Sequence, residues 1–369
     1  MKDGVVLVTG GAGYVGTHTS LYFLENTTQK VVVVDSFERS DPQFVTRLAK
    51  EYPDRLAVHQ LQLEDRDALS EIMRQEKVTD VMHCAAYIDI PESVDQPKLY
   101  RQKIYENTRN LIWAMHRNDV RRIAFSSTAA TYGSPRPDSV DAMGRITEEH
   151  PQIPSTVYGL YKLMSEAAMT QAFEDGLLDA VTFFRYFNVA GADPKGRVGE
   201  AHLKESHVLP LLILAALGVR DSFTIFGTEL GTRDGTPARD MIHVLDLADA
   251  HKRGIEGMQE GNLAGINVFN LGNVYKDAGK VGVTVREMVD AVRARMPEKF
   301  RRFKVEEKLE LRSAGEPEVL CASSDKAVKE LGWNPNFNLD DIVTTAIAWH
   351  SKLAAQGWYR AHEIGKDAF

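Results

Sequence analysis

Apolar positions in the first half of the chain fall into short unbroken runs, separated by longer stretches with helical spacing. Val5-Val6-Leu7-Val8 is such a run, followed by a Gly-rich turn and a helical pattern to about Asn26. Val31 to Val34 is a second, closed by Asp35. Val78–Cys84, Arg122–Phe125 and Ala180–Arg185 read as further strands, with helices over Arg66–Gln75, Leu99–Arg117 and Thr156–Phe173. A strand that is apolar at every position is covered on both faces. Such runs alternating with helices predict an α/β fold around a doubly wound parallel sheet.

From Asn188 onward Gly, Pro and Asp become frequent and the strands less regular. This predicts a smaller second region of long loops and short elements. Ile242-His243-Val244 followed by Leu245–Gly257 again reads as strand then helix, so the two regions interleave. The expected division is 1–187, with a return near 240–258, and 188–369. A length of 369 residues accommodates two domains. Asp138–Gly144 is polar and reads as a surface insertion. Val208–Val219 is apolar but interrupted by Pro210 and too short to cross a bilayer, so it predicts a buried helix. Met1-Lys2-Asp3-Gly4 does not resemble a secretory signal, and no membrane association is expected.

Charge and cysteine content narrow the function classes. Lys and Arg total 44 against 52 Asp and Glu, a net charge of −8. A dedicated nucleic-acid binder would carry a basic footprint instead. An anionic small ligand remains compatible, since a few local Arg residues suffice to hold one. Cys84 and Cys321 are too few for a disulfide scaffold or a Cys-rich zinc module. They read as reduced thiols in a cytoplasmic protein, and no metal site is expected.

Chemistry enters at Thr9-Gly10-Gly11-Ala12-Gly13-Tyr14-Val15-Gly16, between the first strand and the first helix. Gly10, Gly13 and Gly16 allow a tight turn and let backbone approach a pyrophosphate. The helix N-terminus then offers free N–H groups and the positive end of its dipole. Asp35, 19 residues after Gly16, stands where a carboxylate accepts both ribose hydroxyls and repels a 2′-phosphate. The cofactor expected is NAD, and the fold class becomes a Rossmann-type sheet with a smaller C-terminal α/β substrate-binding domain. Tyr158 and Lys162 lie four apart on one helix face, and Ser126-Ser127-Thr128 ends a predicted strand. An ammonium beside a phenol favours phenolate, and a neighbouring hydroxyl such as Thr128 can relay a proton. That is general acid–base chemistry suited to a substrate alcohol.

TGGAGYVG, FSSTAATYG, YGLYK, RYFNVAGADP, DGTPARDMIHVLDLADAH and AGEPEVLCASSDKAVKELGW follow one another in order. With them, from about Val5 to Trp349, the chain resembles the extended short-chain dehydrogenase/reductase superfamily. Within it, the chain is similar to the UDP-glucose (UDP-galactose) 4-epimerase family. The resemblance implies interconversion of UDP-glucose and UDP-galactose through a 4-keto sugar, with NAD retained as hydride acceptor and donor. It implies Tyr158 as base, Lys162 as its partner and Thr128 as proton-sharing hydroxyl. Gly10, Gly13, Tyr14, Val15, Gly16, Asp35 and Ser126 are implied at the cofactor, and Asn188, His207, Phe226, Arg239, Arg312 and Glu316 at the UDP-hexose. It further implies a homodimer through Leu99–Arg117 and Thr156–Phe173.

The chain departs from the family pattern at Gln62, Ile88, Ile104 and Ser313. Gln62 and Ile88 alter cofactor contacts, Ile104 removes a polar group near the active-site helix, and Ser313 takes the slot of a phosphate-clamping Arg. Leu320 borders the sugar's 2-substituent and is intermediate in size, which leaves N-acetylated UDP-hexoses open. A 4,6-dehydratase needs carboxylates after the catalytic Thr, and Ala129 and Ala130 stand there. Three readings remain open: 4-epimerase of UDP-hexoses, epimerase or decarboxylase of UDP-uronic acids or UDP-pentoses, and an idle NAD-binding protein.

Overall fold

The computed structural model describes residues 4–273, 281–311 and 317–362. Six strands appear in chain order: β1 (Val5–Thr9), β2 (Lys30–Asp35), β3 (Leu56–Gln60), β4 (Asp80–His83), β5 (Arg122–Thr128) and β6 (Ala180–Tyr186). With Gly265–Leu271 they form a seven-stranded sheet, ordered Gly265–Leu271, β6, β5, β4, β1, β2, β3. Every neighbouring pair in it is parallel. The order reverses between β1 and β4, the crevice where open α/β sheets bind ligands.

The unbroken apolar runs explain the two covered faces, because successive side chains point to opposite sides of a strand. Val6, Val8, Val31 and Val33 pack on one face, with Leu21, Phe23 and Leu24 of helix α1 (Tyr14–Asn26) and Leu247, Ala250 and Ile255 of helix Val244–Glu260. Leu7, Val32 and Val34 pack on the other, against Leu69 and Met73 of Arg66–Glu76 and Leu111 and Met115 of Asn107–Arg117. Each such fully buried aliphatic side chain stabilises by about 1.5–3 kcal/mol. A third core gathers the second region, with helix Val208–Ala216 at its centre. No helix among the described residues is long and apolar enough to cross a membrane.

Four elements differ from the sequence-based expectation. The helix expected over Leu99–Arg117 is broken into Pro97–Tyr100, a π-helical turn Arg101–Glu106 and Asn107–Arg117. Thr156 is the N-cap of helix Val157–Glu174, its side chain accepting from the Gly159 N–H, and not the first helical residue. The strands β3 and Gly265–Leu271 went unpredicted. Both are sheet edges with mixed burial. Asn270 in the second is a buried amide bonded to the Tyr132 hydroxyl, which breaks the apolar run. Gly265–Leu271 joins the large sheet as its outermost strand, beside β6.

Candidate active site

The loop after β1 packs backbone closely on backbone. Gly10 sits at φ +67°, and a Cβ there would lie 2.6 Å from the Ala85 Cα. A Cβ on Gly16 would lie 2.3 Å from the Gly10 carbonyl oxygen. Helix α1 therefore starts as near the sheet as backbone permits, and its N-cap, Gly13, brings no capping side chain. The first-turn N–H groups are left for a ligand. Asp35, ending β2, accepts from the Ala12 and Phe37 N–H groups at 3.0 and 2.8 Å and from the Ser40 hydroxyl at 3.1 Å. Burial raises its pKa, and these donors act against the rise.

A cleft of about 390 Å³ runs along the carboxyl ends of the strands. Gly10, Gly13, Tyr14, Val15, Gly16 and Asp35 line it, as do Thr128, Tyr158, Asn188 and His207. The groups present fit NAD. The Gly turn would meet the pyrophosphate and Asp35 the adenosine ribose, and Thr128 with Tyr158 offers a proton-transfer group in the same cleft. Gly16→Val would push a side chain into the Gly10 carbonyl. We expect more than about a tenfold loss of NAD affinity, read by calorimetric titration. Unchanged affinity would remove the glycine turn from the cofactor site.

Tyr158 and Lys162 come from the first two turns of Val157–Glu174, and Thr128 from the end of β5. Burial pushes the Tyr158 phenol up to about 12, and a hydrogen bond with Thr128 acts against it. The Lys162 ammonium donates to the Ser126 carbonyl at 2.7 Å and lies 4.6 Å from the Phe125 ring centroid. Burial brings its pKa down to about 8. The sequence suggested that Lys162 lowers the pKa of Tyr158. Here the lowering contact comes from Thr128, because the carbonyl at the strand end takes the ammonium.

The other expected residues are distributed unevenly. Ser126 is not among the lining residues, but its hydroxyl meets His251 Nε2 at 2.9 Å and Cys84 Sγ at 3.2 Å, Cys84 itself lining the cleft, and its carbonyl holds Lys162. Tyr14 keeps its ring in the cleft wall while its hydroxyl donates to the Gly191 carbonyl at 2.7 Å. The Asn188 amide donates to the Asp240 carbonyl at 3.0 Å and still borders the cleft. Phe226 and Arg239 stand outside the residues that line it, Phe226 at the end of strand Ser222–Phe226 and Arg239 in the short strand Ala238–Arg239. Arg312, Ser313 and Glu316 lie outside the described residues. Leu320 pairs with Arg239 across a parallel ladder and packs beside Phe187.

Two departures are absorbed by their neighbours. Ile104 is fully buried with Tyr100 and Tyr158, and the polar role passes to Thr108. The Thr108 hydroxyl donates to the Ile104 carbonyl and meets His83 Nε2 at 3.0 Å and Ser165 at 3.1 Å. Gln62 donates to Glu38 at 2.9 Å. Ile88 is 41% exposed at the cleft. Sequence reasoning passed over Glu38, Ala85, Tyr87 and Tyr186, which also line the cleft. Their signal was position: each lies at or just beyond the carboxyl end of β2, β4 or β6.

This fold and site define a dinucleotide-binding enzyme of the short-chain dehydrogenase/reductase class. The NAD dependent epimerase/dehydratase family matches residues 6–272, and the chain belongs to that family. It is 39% identical to a UDP-glucose 4-epimerase of Rhizobium leguminosarum bv. trifolii, over 95% of this chain and 99% of that relative. A solved UDP-glucose 4-epimerase superimposes with a TM-score of 0.85 at 35% identity, covering 95% of this chain and 98% of that one. The Bifidobacterium longum UDP-glucose 4-epimerase, solved with NAD+ and UDP, gives 0.83 at 29% identity, covering 94% and 98%.

Proposed function

We propose that the chain is an NAD-dependent UDP-glucose 4-epimerase, interconverting UDP-glucose and UDP-galactose through a 4-keto sugar. The observation that carries the reading is the meeting of Thr128 and Tyr158 in the dinucleotide cleft, which Asn188 and His207 also line. Near-full-length similarity to UDP-glucose 4-epimerases supports it. When bound, NAD supplies the hydride acceptor and donor for the sugar carbon, and its positive ring favours phenolate.

Tyr158 takes the 4-hydroxyl proton, directly or through Thr128, and returns it after the keto sugar has turned. Lys162 holds Tyr158 and the β5 end in register. Asn188, Arg239 and the segment carrying Arg312 and Glu316 hold the UDP part. Binding energy placed on the unreacting diphosphate keeps the keto sugar in the cleft while its hexose rotates. Ala129 and Ala130 offer no carboxylate for an elimination, which disfavours dehydration.

The test is turnover of UDP-galactose and UDP-N-acetylgalactosamine side by side. Epimerisation of UDP-galactose is expected. If Leu320 leaves room beside C2, the N-acetyl sugar reacts within about a hundredfold of it, since a tight apolar pocket discriminates by 10–200-fold per group. Turnover of UDP-uronic acids or UDP-pentoses alone would replace the substrate assignment. No turnover, and no NADH on adding UDP-sugar, would favour the idle binder. We further propose a cytoplasmic homodimer that pairs helices Asn107–Arg117 and Val157–Glu174. The exposed Leu160 on the second helix supports this face. A monomeric mass by light scattering would refute the pairing.

A further inference from the structure

Between the two regions the chain runs through Gly199-Glu200-Ala201-His202-Leu203-Lys204-Glu205-Ser206-His207. Four chemistry-bearing side chains of this segment turn toward one point. One ligand atom each from Glu200, His202, Glu205 and His207 lies within 4.8 Å of all the others. Glu200 and Glu205 are buried, at 3% and 7% exposure. None of the four takes part in the proton transfer proposed above.

Two buried carboxylates need compensating positive charge, because an ionised carboxylate left alone in a dry site is strongly disfavoured. Two imidazolium rings or one divalent cation would supply the same charge. The geometry separates them. His207 Nδ1 lies 2.7 Å from Glu200 Oε1, yet neither atom has a hydrogen-bond partner. An ion pair at that distance would aim its N–H at the oxygen. Here the contact is short but poorly directed for a hydrogen bond, and all four ligand atoms crowd one point. The other His–Glu separations are 3.3 Å from His202 Nδ1 to Glu200 Oε1, 3.6 Å from His202 Nδ1 to Glu205 Oε2, and 3.4 Å from His207 Nδ1 to Glu205 Oε1. Four ligands about 2.05 Å from a tetrahedral zinc stand about 3.3 Å apart, inside the observed range.

We propose that Glu200, His202, Glu205 and His207 form a structural binding site for one divalent transition-metal cation, zinc by ligand type. The donor set decides the class of ion. Two imidazoles disfavour calcium and magnesium, which take oxygen ligands, and two carboxylates without a thiolate disfavour copper(I). Four protein ligands close the coordination shell, so the ion holds structure and activates no water. The surroundings support the ligands. Glu205 Oε1 accepts from the Ser206 and His207 N–H groups, both at 2.8 Å, which fixes the carboxylate. His202 bridges to Ser40 of the first region and packs edge-on against the Tyr14 ring. The Glu200 carbonyl accepts from the Trp349 indole at 2.8 Å. His202 and His207 border the cleft, so the cation would staple the wall that faces Tyr14. This departs from the expectation, drawn from cysteine content, that the chain holds no metal.

The experiment measures metal content of the tag-free full chain, grown with zinc and freed of loose ions by gel filtration. Elemental mass spectrometry should find one zinc per chain. Glu200→Gln and Glu205→Gln should each lose it while far-UV circular dichroism and NAD content stay unchanged, and zinc should raise Tm in the wild type alone. Substoichiometric zinc with no uptake of added zinc would overturn the proposal. So would full zinc content in both variants, which would put the ion elsewhere. Should the variants fail to fold, the cobalt-loaded wild type decides. Intense visible d–d bands of tetrahedral cobalt support the site, and the weak bands of an octahedral aqua ion refute it.

Discussion

Tyr158→Phe is expected to lower turnover of UDP-galactose by roughly 10²–10⁴-fold, the range that general acid–base catalysis supplies. The change removes one oxygen and leaves the ring. That ring packs with Tyr100 and Ile104 and would do so equally as phenylalanine. NAD binding should survive, because the change leaves the glycine turn and Asp35 intact. Thr128→Val should cost less if Thr128 only relays, since the phenol would still reach the proton. Lys162 gives a contrasting case. Its ammonium is committed to the Ser126 carbonyl, so Lys162→Met should lower both activity and the stability of the β5 end. Coupled-assay kcat values, with NAD content measured on the same preparations, separate these effects. A Tyr158→Phe enzyme within a few-fold of wild type would end the assignment of Tyr158 as base.

Some of this was legible because the signal is local. Val5–Val8 and Val31–Val34 are apolar at every position, a pattern that only a doubly covered strand needs. Gly10, Gly16 and Asp35 follow from what a pyrophosphate and a ribose demand of backbone and carboxylate. Edge strands were harder. Leu56–Gln60 is only partly buried, and Gly265–Leu271 carries Asn267 and Asn270, so neither makes an unbroken run. The π-helical turn at Arg101–Glu106 has no signature in residue spacing. The direction of Lys162 depends on a carbonyl 36 positions earlier in the chain, which helix periodicity cannot report. Glu200, His202, Glu205 and His207 were in plain view as neighbours in sequence. Their spacing acquires meaning only with burial, since Glu and His in a loop are ordinarily solvated.

Glu166→Ala is the second large effect, and it acts through folding. Glu166 stands one turn beyond Lys162 on the same helix, and its carboxylate grips Arg185 of β6 with both oxygens, at 3.0 and 2.6 Å. The two side chains are 4% and 6% exposed. Glu166 also accepts from Ser127 and from Gln152, while Arg185 reaches the Tyr132 hydroxyl at 3.0 Å. Tyr132 in turn donates to Asn270 of the edge strand at 2.7 Å. One ion pair thus ties the helix bearing Tyr158 to β5, β6 and the outermost strand. Truncating Glu166 leaves a buried guanidinium without its carboxylate, and breaking a buried pair in this way costs about 3–5 kcal/mol. Glu166→Leu combined with Arg185→Met removes both charges at similar volume and should recover most of that loss. Urea unfolding of the wild type, Glu166→Leu, Arg185→Met and the double variant measures it. If the two single losses simply add in the double variant, the pair is uncoupled, and the rigidity of the Tyr158 helix must come from packing against Phe125 and Phe183 instead.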